Sequence, residues 1–75
     1  MKINDVSKLT GLSKKAIRLY ETRGLFKVRR ILNGYREYSE EDVTVLKRIK
    51  LLRLAGISIS DIKLLFDHVV TLDEV

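Results

Sequence analysis

Residues 3–24 read INDVSKLTGLSKKAIRLYETRG, and this stretch decides the fold. Apolar residues recur every three positions in its first part: Ile3, Val6 and Leu9. This spacing predicts a short first helix that ends at Gly11, where a left-handed residue would close it. Ser13 is the predicted N-cap of a second helix, which runs to about position 23 and stops at Gly24. Two short helices joined by a glycine-containing turn are typical of a helix-turn-helix motif.

Residues 25–38 carry the signal of a β-hairpin. Asn33-Gly34 is a strong two-residue turn, because a type I′ turn needs positive φ at both central positions. The flanking aromatic and β-branched residues suit short strands. Because an isolated hairpin is marginal in water, this one is expected to pack on the helices through some of Phe26, Val28 and Ile31.

Two further helices are predicted after the hairpin. Ser39, followed three residues later by Asp42, has the pattern of a helix cap, and the intervening acids Glu40 and Glu41 complement the helix dipole. The predicted apolar stripe of this third helix consists of Val45, Leu46, Ile49 and Leu52, with Val43, Leu51 and Leu54 off the stripe. After a stop at Gly56, the same cap pattern at residues 58–61 starts a fourth helix, whose predicted apolar residues are Ile62, Leu65, Phe66 and Val69. The prediction is a mainly α fold of four helices with a small β-hairpin.

The positive charge is concentrated in the first half of the chain. The formal net charge is +5, but up to Tyr38 ten Lys and Arg residues stand against three carboxylates, which gives +7. From Ser39 onward five cations stand against seven carboxylates, which gives −2. The positive electrostatic field of the first half attracts polyanions such as DNA, RNA or an anionic membrane surface. A basic surface that only maintains solubility would explain the composition equally well.

The placement of the cations in the second helix is more informative than their number. Lys14 and Lys15 fall in its first turn, where the helix dipole is already positive and each cation is disfavoured by about 0.3–1 kcal/mol. A phosphate at that terminus would reverse the sign, and Arg18 lies four residues after Lys14 on the same face. Lysine and arginine in this position can bond guanine O6 and N7, so the pattern predicts a recognition helix in the DNA major groove. Ordinary solvated cations are the alternative.

Aromatic residues alternate with the basic ones: Tyr20, Tyr35 and Tyr38. A phenol can bury its ring against the core while its hydroxyl reaches a phosphate, although a half-buried core position explains any single tyrosine as well. Tyr35 and Arg36 directly follow the hairpin turn, which favours phosphate contact there. Arg29 and Arg30 face them across the hairpin, and because adjacent strand residues point to opposite faces, only one of this pair should meet DNA.

The sequence gives little support for a secreted, membrane-spanning, metal-binding or catalytic protein. It has no cysteine, which argues against disulfides and thiolate metal sites, and no metal or cofactor is predicted. No apolar run approaches the ~18 residues of a membrane span, and the first residues lack the apolar stretch of a signal peptide, so a cytoplasmic location is expected. His68, beside Asp67, is better interpreted as a surface residue than as a catalytic base. The four glycines are dispersed and form no phosphate-binding loop, and no catalytic residue is predicted.

Five segments together carry a resemblance to a known family. They are residues 6–13 (VSKLTGLS), 17–21 (IRLYE), 23–25 (RGL), 33–42 (NGYREYSEED) and 54–58 (LAGIS). In this order the chain resembles the MerR family of bacterial transcription regulators over nearly its whole length. The resemblance is specific, because the asparagine-glycine-tyrosine-arginine and isoleucine-arginine-x-tyrosine-glutamate stretches occur together at the family's spacing.

The resemblance implies a winged helix-turn-helix domain and a set of DNA contacts. Arg18 matches the family arginine of the recognition helix, and Tyr20 matches a tyrosine that touches the DNA backbone. Tyr35 and Arg36 match wing residues that grip phosphates, and the chain near Ser58 matches a second wing.

The resemblance also implies how such a regulator works as a whole. Members dimerise through a long antiparallel helix, and many have a C-terminal effector domain. They bend and untwist promoters whose polymerase-binding elements are set too far apart, so that RNA polymerase can use them.

The chain departs from the family pattern at three places. Leu19 stands where members often have an aromatic residue, which removes a phosphate contact. The usual prolines after Gly24-Leu25 are absent, and residues 26–28 would set the wing differently. The dimerisation helix and effector domain are missing, so residues 1–70 are expected to form the DNA-binding domain, with residues 71–75 as a tail leading to a missing dimerisation helix.

Sequence-specific binding and distortion of promoter DNA is therefore the leading prediction. The expected partners are double-stranded promoter DNA, RNA polymerase, and a second copy joined through a helix absent from this chain. One alternative is an excisionase-like accessory factor that bends DNA during recombination. Another is a protein-interaction module that uses the extra apolar face of the third helix, for which DNA binding would be weak and insensitive to salt.

Overall fold

Four helices account for most of the chain. The computed structural model describes the backbone of residues 1–30 and 36–73, and the side chains of residues 1–28 and 37–68. Within these residues the elements are α1 (Ile3–Thr10), α2 (Lys14–Thr22), β1 (Arg29–Arg30), β2 (Arg36–Glu37), α3 (Glu40–Leu54) and α4 (Ile59–Asp73). The predicted mainly α, four-helix architecture is confirmed. None of the helices in the described part of the chain is long and apolar enough to cross a membrane.

The two short strands pair antiparallel. Arg29 lies opposite Glu37, and Arg30 lies opposite Arg36. The predicted Asn33-Gly34 turn and the expected packing of Ile31 lie outside the described residues.

The first two helices begin and end where local hydrogen bonds allow. Gly11 has φ 74° and its N–H donates to the Ser7 carbonyl, so α1 ends at the predicted left-handed residue. The Ser13 hydroxyl accepts a hydrogen bond from the Ala16 N–H at 3.0 Å, which confirms it as the N-cap of α2. α2 ends in a Schellman motif, in which Gly24 has φ 78° and the Leu25 N–H donates to the carbonyl of residue 20.

A complete capping box starts α3. The Ser39 hydroxyl accepts from the Asp42 N–H at 3.1 Å, and the Asp42 carboxylate accepts from the Ser39 N–H at 2.9 Å. The helix ends in a second Schellman motif around Gly56, where φ is 88°. Ser58 caps α4 by accepting from the Asp61 N–H at 3.1 Å. All of these ends were predicted, because each depends on residues close together in sequence.

The core lies where α1, α2, α3 and α4 meet. Its buried apolar residues are Val6, Ile17, Tyr20, Leu25, Phe26, Tyr38, Val43, Leu46, Ile49 and Ile62. Val28 packs against this cluster at its edge. The Phe26 and Tyr38 rings contact each other with centroids 6.5 Å apart, so the segments on either side of the strands are anchored in the core, as predicted for Phe26 and Val28.

In the described parts of α3 and α4, two apolar residues do not lie where the sequence pattern placed them. Val43 was predicted off the stripe of α3 but is buried, because α3 turns residues 43, 46 and 49 together toward α1 and α4. Leu65 was predicted on the packed stripe of α4 but is 45% exposed, since Ile59, Ile62 and Phe66 are the described residues of α4 that pack in or against the core. The predicted Val69 lies outside the residues whose side chains are described. α4 itself continues to Asp73, into the residues predicted as a tail.

Candidate nucleic-acid interface

The turn between α1 and α2 is held by side chains that bond the backbone. The Thr10 hydroxyl donates to the Val6 carbonyl at 2.8 Å and accepts from the Leu12 N–H at 3.2 Å. The Ser7 hydroxyl donates to the Leu12 carbonyl. Since these bonds pair polar groups that the core would otherwise desolvate, the start of α2 has a defined position relative to α1.

α2 has one buried face and one exposed face. Ile17 and Tyr20 point into the core, whereas the opposite arc of the helix is exposed and carries Lys14, Lys15, Arg18, Leu19 and Thr22. At 100° per residue these five positions are contiguous, so they form one surface, which we call the α2 face.

The cations of the α2 face are not paired with the carboxylates that the structure describes. Within the part of the chain whose side chains are described, Lys14, Lys15 and Arg18 make no ion pair with a carboxylate. Pairing of these residues within the protein would have contradicted the predicted role in DNA binding. Their charges therefore remain available to an external anion.

α2 also reverses the charge arrangement of the other helices. Of the four helices that the structure describes, α1, α3 and α4 carry acidic residues in the first turn, and α1 and α3 carry a base in the last turn. α2 has no acid in its first turn, which holds Lys14 and Lys15, and no base in its last. The helix dipole disfavours this arrangement in the free protein, and an anion bound at the N-terminus would make it favourable.

The predicted tyrosines are differently placed. Tyr20 is 7% exposed and Tyr38 is 2% exposed, so both rings belong to the core. Tyr20 lies on the side of α2 away from the lysines, and only its exposed fraction is available to a DNA backbone. Tyr35 lies outside the described residues.

The remaining predicted contacts come from the strands and from the start of α4. The backbone of Arg29, Arg30 and Arg36 lies in the paired strands, and their side chains are outside the described part. Ser58 is exposed, and its hydroxyl oxygen already accepts a hydrogen bond from α4. Because a hydroxyl that accepts a bond still has a proton to donate, Ser58 can also bond a phosphate.

Thr22, which the sequence did not single out, lies on the α2 face beside the predicted cations. It follows Lys14 and Arg18 at intervals of four residues and is exposed on the same face. The helical spacing from Arg18 could have identified it, but an uncharged threonine gives no electrostatic signal. Leu19, at 40% exposure, provides an apolar position on this face, where it could contact a thymine methyl group or a sugar.

Comparison with known proteins identifies the family of this chain. Residues 1–69 match the family described as MerR HTH family regulatory protein. The chain belongs to the MerR family. It is 40% identical over 62 residues to the HTH-type transcriptional regulator CueR of Escherichia coli strain CFT073, covering 81% of this chain and 46% of CueR. It is 41% identical over 61 residues to the HTH-type transcriptional repressor CarH of Myxococcus xanthus, covering 80% of this chain and 20% of CarH.

A solved MerR family structure shares the fold. HiNmlR, described as a MerR family regulator lacking the sensor domain, was crystallised bound to promoter DNA. It superposes with a TM-score of 0.87 at 25% identity, covering 95% of this chain and 55% of HiNmlR. This chain thus spans about half the length of CueR and HiNmlR and a fifth of CarH.

Proposed function

We propose that this MerR family domain binds duplex DNA in a sequence-specific manner and regulates transcription. The α2 face carries the proposal: its three cations are exposed, form no ion pair with any carboxylate whose side chain is described, and oppose the dipole of their own helix. In this proposal the N-terminal half of α2 enters the major groove, where Lys14, Lys15 and Arg18 contact phosphates and base edges. The promoter-bound state of the similar HiNmlR supports it.

The remaining predicted contacts would fix the domain on the duplex. Tyr20 and the wing residues Tyr35 and Arg36 bond phosphates, as does one of the two adjacent arginines, Arg29 and Arg30. Ser58 donates its hydroxyl proton to a second phosphate. Contacts of this kind set register and orientation, while the α2 face reads sequence.

The proposal extends to the assembly in which the domain works. Residues 1–70 form the DNA-binding unit, the chain past residue 70 leads toward a dimerisation helix, and two copies bind the halves of a palindromic promoter. The dimer distorts the promoter so that RNA polymerase can use it. These functions belong to the cytoplasm and require no cofactor within this domain.

In vitro selection from a random duplex library tests sequence-specific binding directly. The 75-residue chain is expected to enrich a defined sequence, and Lys14→Ala and Arg18→Ala should weaken binding to it by about 1–3 kcal/mol if either side chain reads a base. The loss should depend on the base pair contacted. Equal affinity for the enriched and the scrambled duplex would contradict sequence-specific recognition.

Lys63→Ala is the matched control. It removes the same charge from α4, where Lys63 lies 3.8 Å from the Asp67 carboxylate and not on the α2 face. The affinity of Lys63→Ala for the enriched duplex should change little. If all three variants lose affinity equally, the long-range field and not the α2 face accounts for binding.

A further inference from the structure

Lys50 connects the middle of α3 to the end of α1. Its ammonium donates to the Thr10 carbonyl oxygen at 3.1 Å, a bond between residues 40 positions apart. Thr10 is the last residue of α1, where the helix dipole is negative and carbonyl groups lack helical partners. The ammonium therefore serves as a tertiary cap for α1.

The same ammonium lies against the turn that leads into α2. A Cβ atom added to Gly11 would lie 2.5 Å from Lys50 Nζ, so the lysine occupies the space beside a residue whose φ is 74°. Lys50 makes no ion pair with a described carboxylate, and its ammonium bonds the Thr10 carbonyl at the start of this turn. The other bonds of the turn, from Ser7 and Thr10, join residues within α1 and the turn itself. They hold the shape of the turn and cannot fix it relative to α3.

We propose that Lys50 is a positioning residue for the DNA-binding helix. By tying the carbonyl end of α1 to α3, it sets where the turn leaves the core and hence the angle at which α2 presents its exposed face. This inference rests on the proposed function, because the angle matters only if the α2 face meets a rigid partner such as a duplex. Lys50 itself does not contact the DNA.

Three variants of the 75-residue chain separate this role from a simple loss of charge. K50M keeps the length of the side chain and removes the ammonium, whereas K50R restores a cationic donor. K47M is the matched control, because Lys47 is an exposed cation one turn earlier on α3 and makes no hydrogen bond or ion pair within the described part of the chain. Urea unfolding gives the folded fraction of each variant, so that affinities refer to folded protein.

Hydrogen exchange in the absence of DNA tests the positioning directly. In K50M the Gly11 and Leu12 amides should exchange about tenfold faster, while the Ile49 amide within α3 keeps its protection. K47M should show no change in the turn, and K50R should recover most of the protection. Unchanged exchange at Gly11 and Leu12 in a folded K50M would overturn the proposal.

Binding to the duplex enriched by selection, and to a scrambled duplex of the same composition, provides the second measurement. K50M should lose about tenfold in affinity for the enriched duplex and no more than K47M for the scrambled one, with the same salt dependence as K47M. A reduced salt slope specific to K50M would mean that Lys50 binds a phosphate, which contradicts the proposal. If selection with the unmodified chain enriches no sequence and the chain binds no duplex, the proposed function fails, and the exchange data still decide whether Lys50 holds the turn.

If K50M does not fold, K50Q takes its place in both measurements beside K50R. Faster exchange in the turn and weaker specific binding in K50Q, both restored in K50R, support the positioning role. Full protection and full affinity in K50Q overturn it.

Discussion

Reversing the charge of Lys14 should stabilise the free protein and weaken its binding to DNA. Lys14 is the first residue of α2, in a turn without a carboxylate. Lys14→Glu replaces an unfavourable dipole interaction by a favourable one, each about 0.3–1 kcal/mol, and turns repulsion from Arg18 into an attraction of about 0.2–0.5 kcal/mol. Because the position is exposed and screened, we expect a net gain of about 1 kcal/mol, which corresponds to ~4–8 °C in Tm for a domain of this size.

Lys8→Glu is the control for this prediction. It makes the same chemical change at an exposed lysine, but Lys8 lies in the last turn of α1, where the dipole favours a cation, and three residues after Asp5. The stability should therefore fall, by about 0.5–1 kcal/mol. Both variants lower the net charge of +5 by two, so relief of general repulsion is matched between them.

Urea unfolding followed by circular dichroism at low and high salt measures both changes. The two changes in unfolding free energy should have opposite signs at low salt, and both should become smaller at high salt, since these surface interactions are screened. A shift of the same sign in both variants would refute the dipole argument. Lys14→Glu should also lower affinity for the enriched duplex by more than about tenfold, and full retention of binding would refute the assignment of Lys14 to the interface.

Two further predictions concern the packing behind the interface. Gly11→Ala and Gly56→Ala both place a side chain at positive φ, which should lower the free energy of unfolding by about 1–2 kcal/mol. An added Cβ meets nothing within 4 Å at Gly56, whereas at Gly11 it displaces the Lys50 ammonium. Gly11→Ala should therefore lower the free energy of unfolding in urea by about 1 kcal/mol more than Gly56→Ala. Equal costs would mean that the Lys50 contact contributes no stability. Leu46→Ala should cost about 2–5 kcal/mol and Leu51→Ala less than about 0.5 kcal/mol, because the first side chain is fully buried and the second is 67% exposed on the same helix. Similar thermal shifts for the two leucine variants would contradict the orientation of α3.

The helix ends from Gly11 to Ser58 could be predicted from the sequence because short-range bonds decide them, whereas α4 extends past its predicted end to Asp73. The capping box of Ser39 and Asp42, the Ser13 cap and the left-handed glycines each involve partners within five residues. The charges of Lys14 and Lys15 were interpretable for the same reason, since a helix dipole acts on residues of its own first turn.

The side of a helix that is buried was less predictable. Val43 and Leu65 were misplaced because apolar residues occur on several sides of α3 and α4, and spacing alone does not say which side meets a neighbour. Thr22 joined the α2 face only when the structure showed which arc of the helix is exposed.

The sequence by itself determined the helix ends from Gly11 to Ser58, which half of the chain is basic, and which family it belongs to. Tertiary structure alone decided that Lys50 lies on the carbonyl end of α1, since residues 10 and 50 meet only after α1 has packed on α3. The physical reason is range: capping and dipole interactions act within one or two helical turns, whereas burial and long-range hydrogen bonds depend on how whole helices pack.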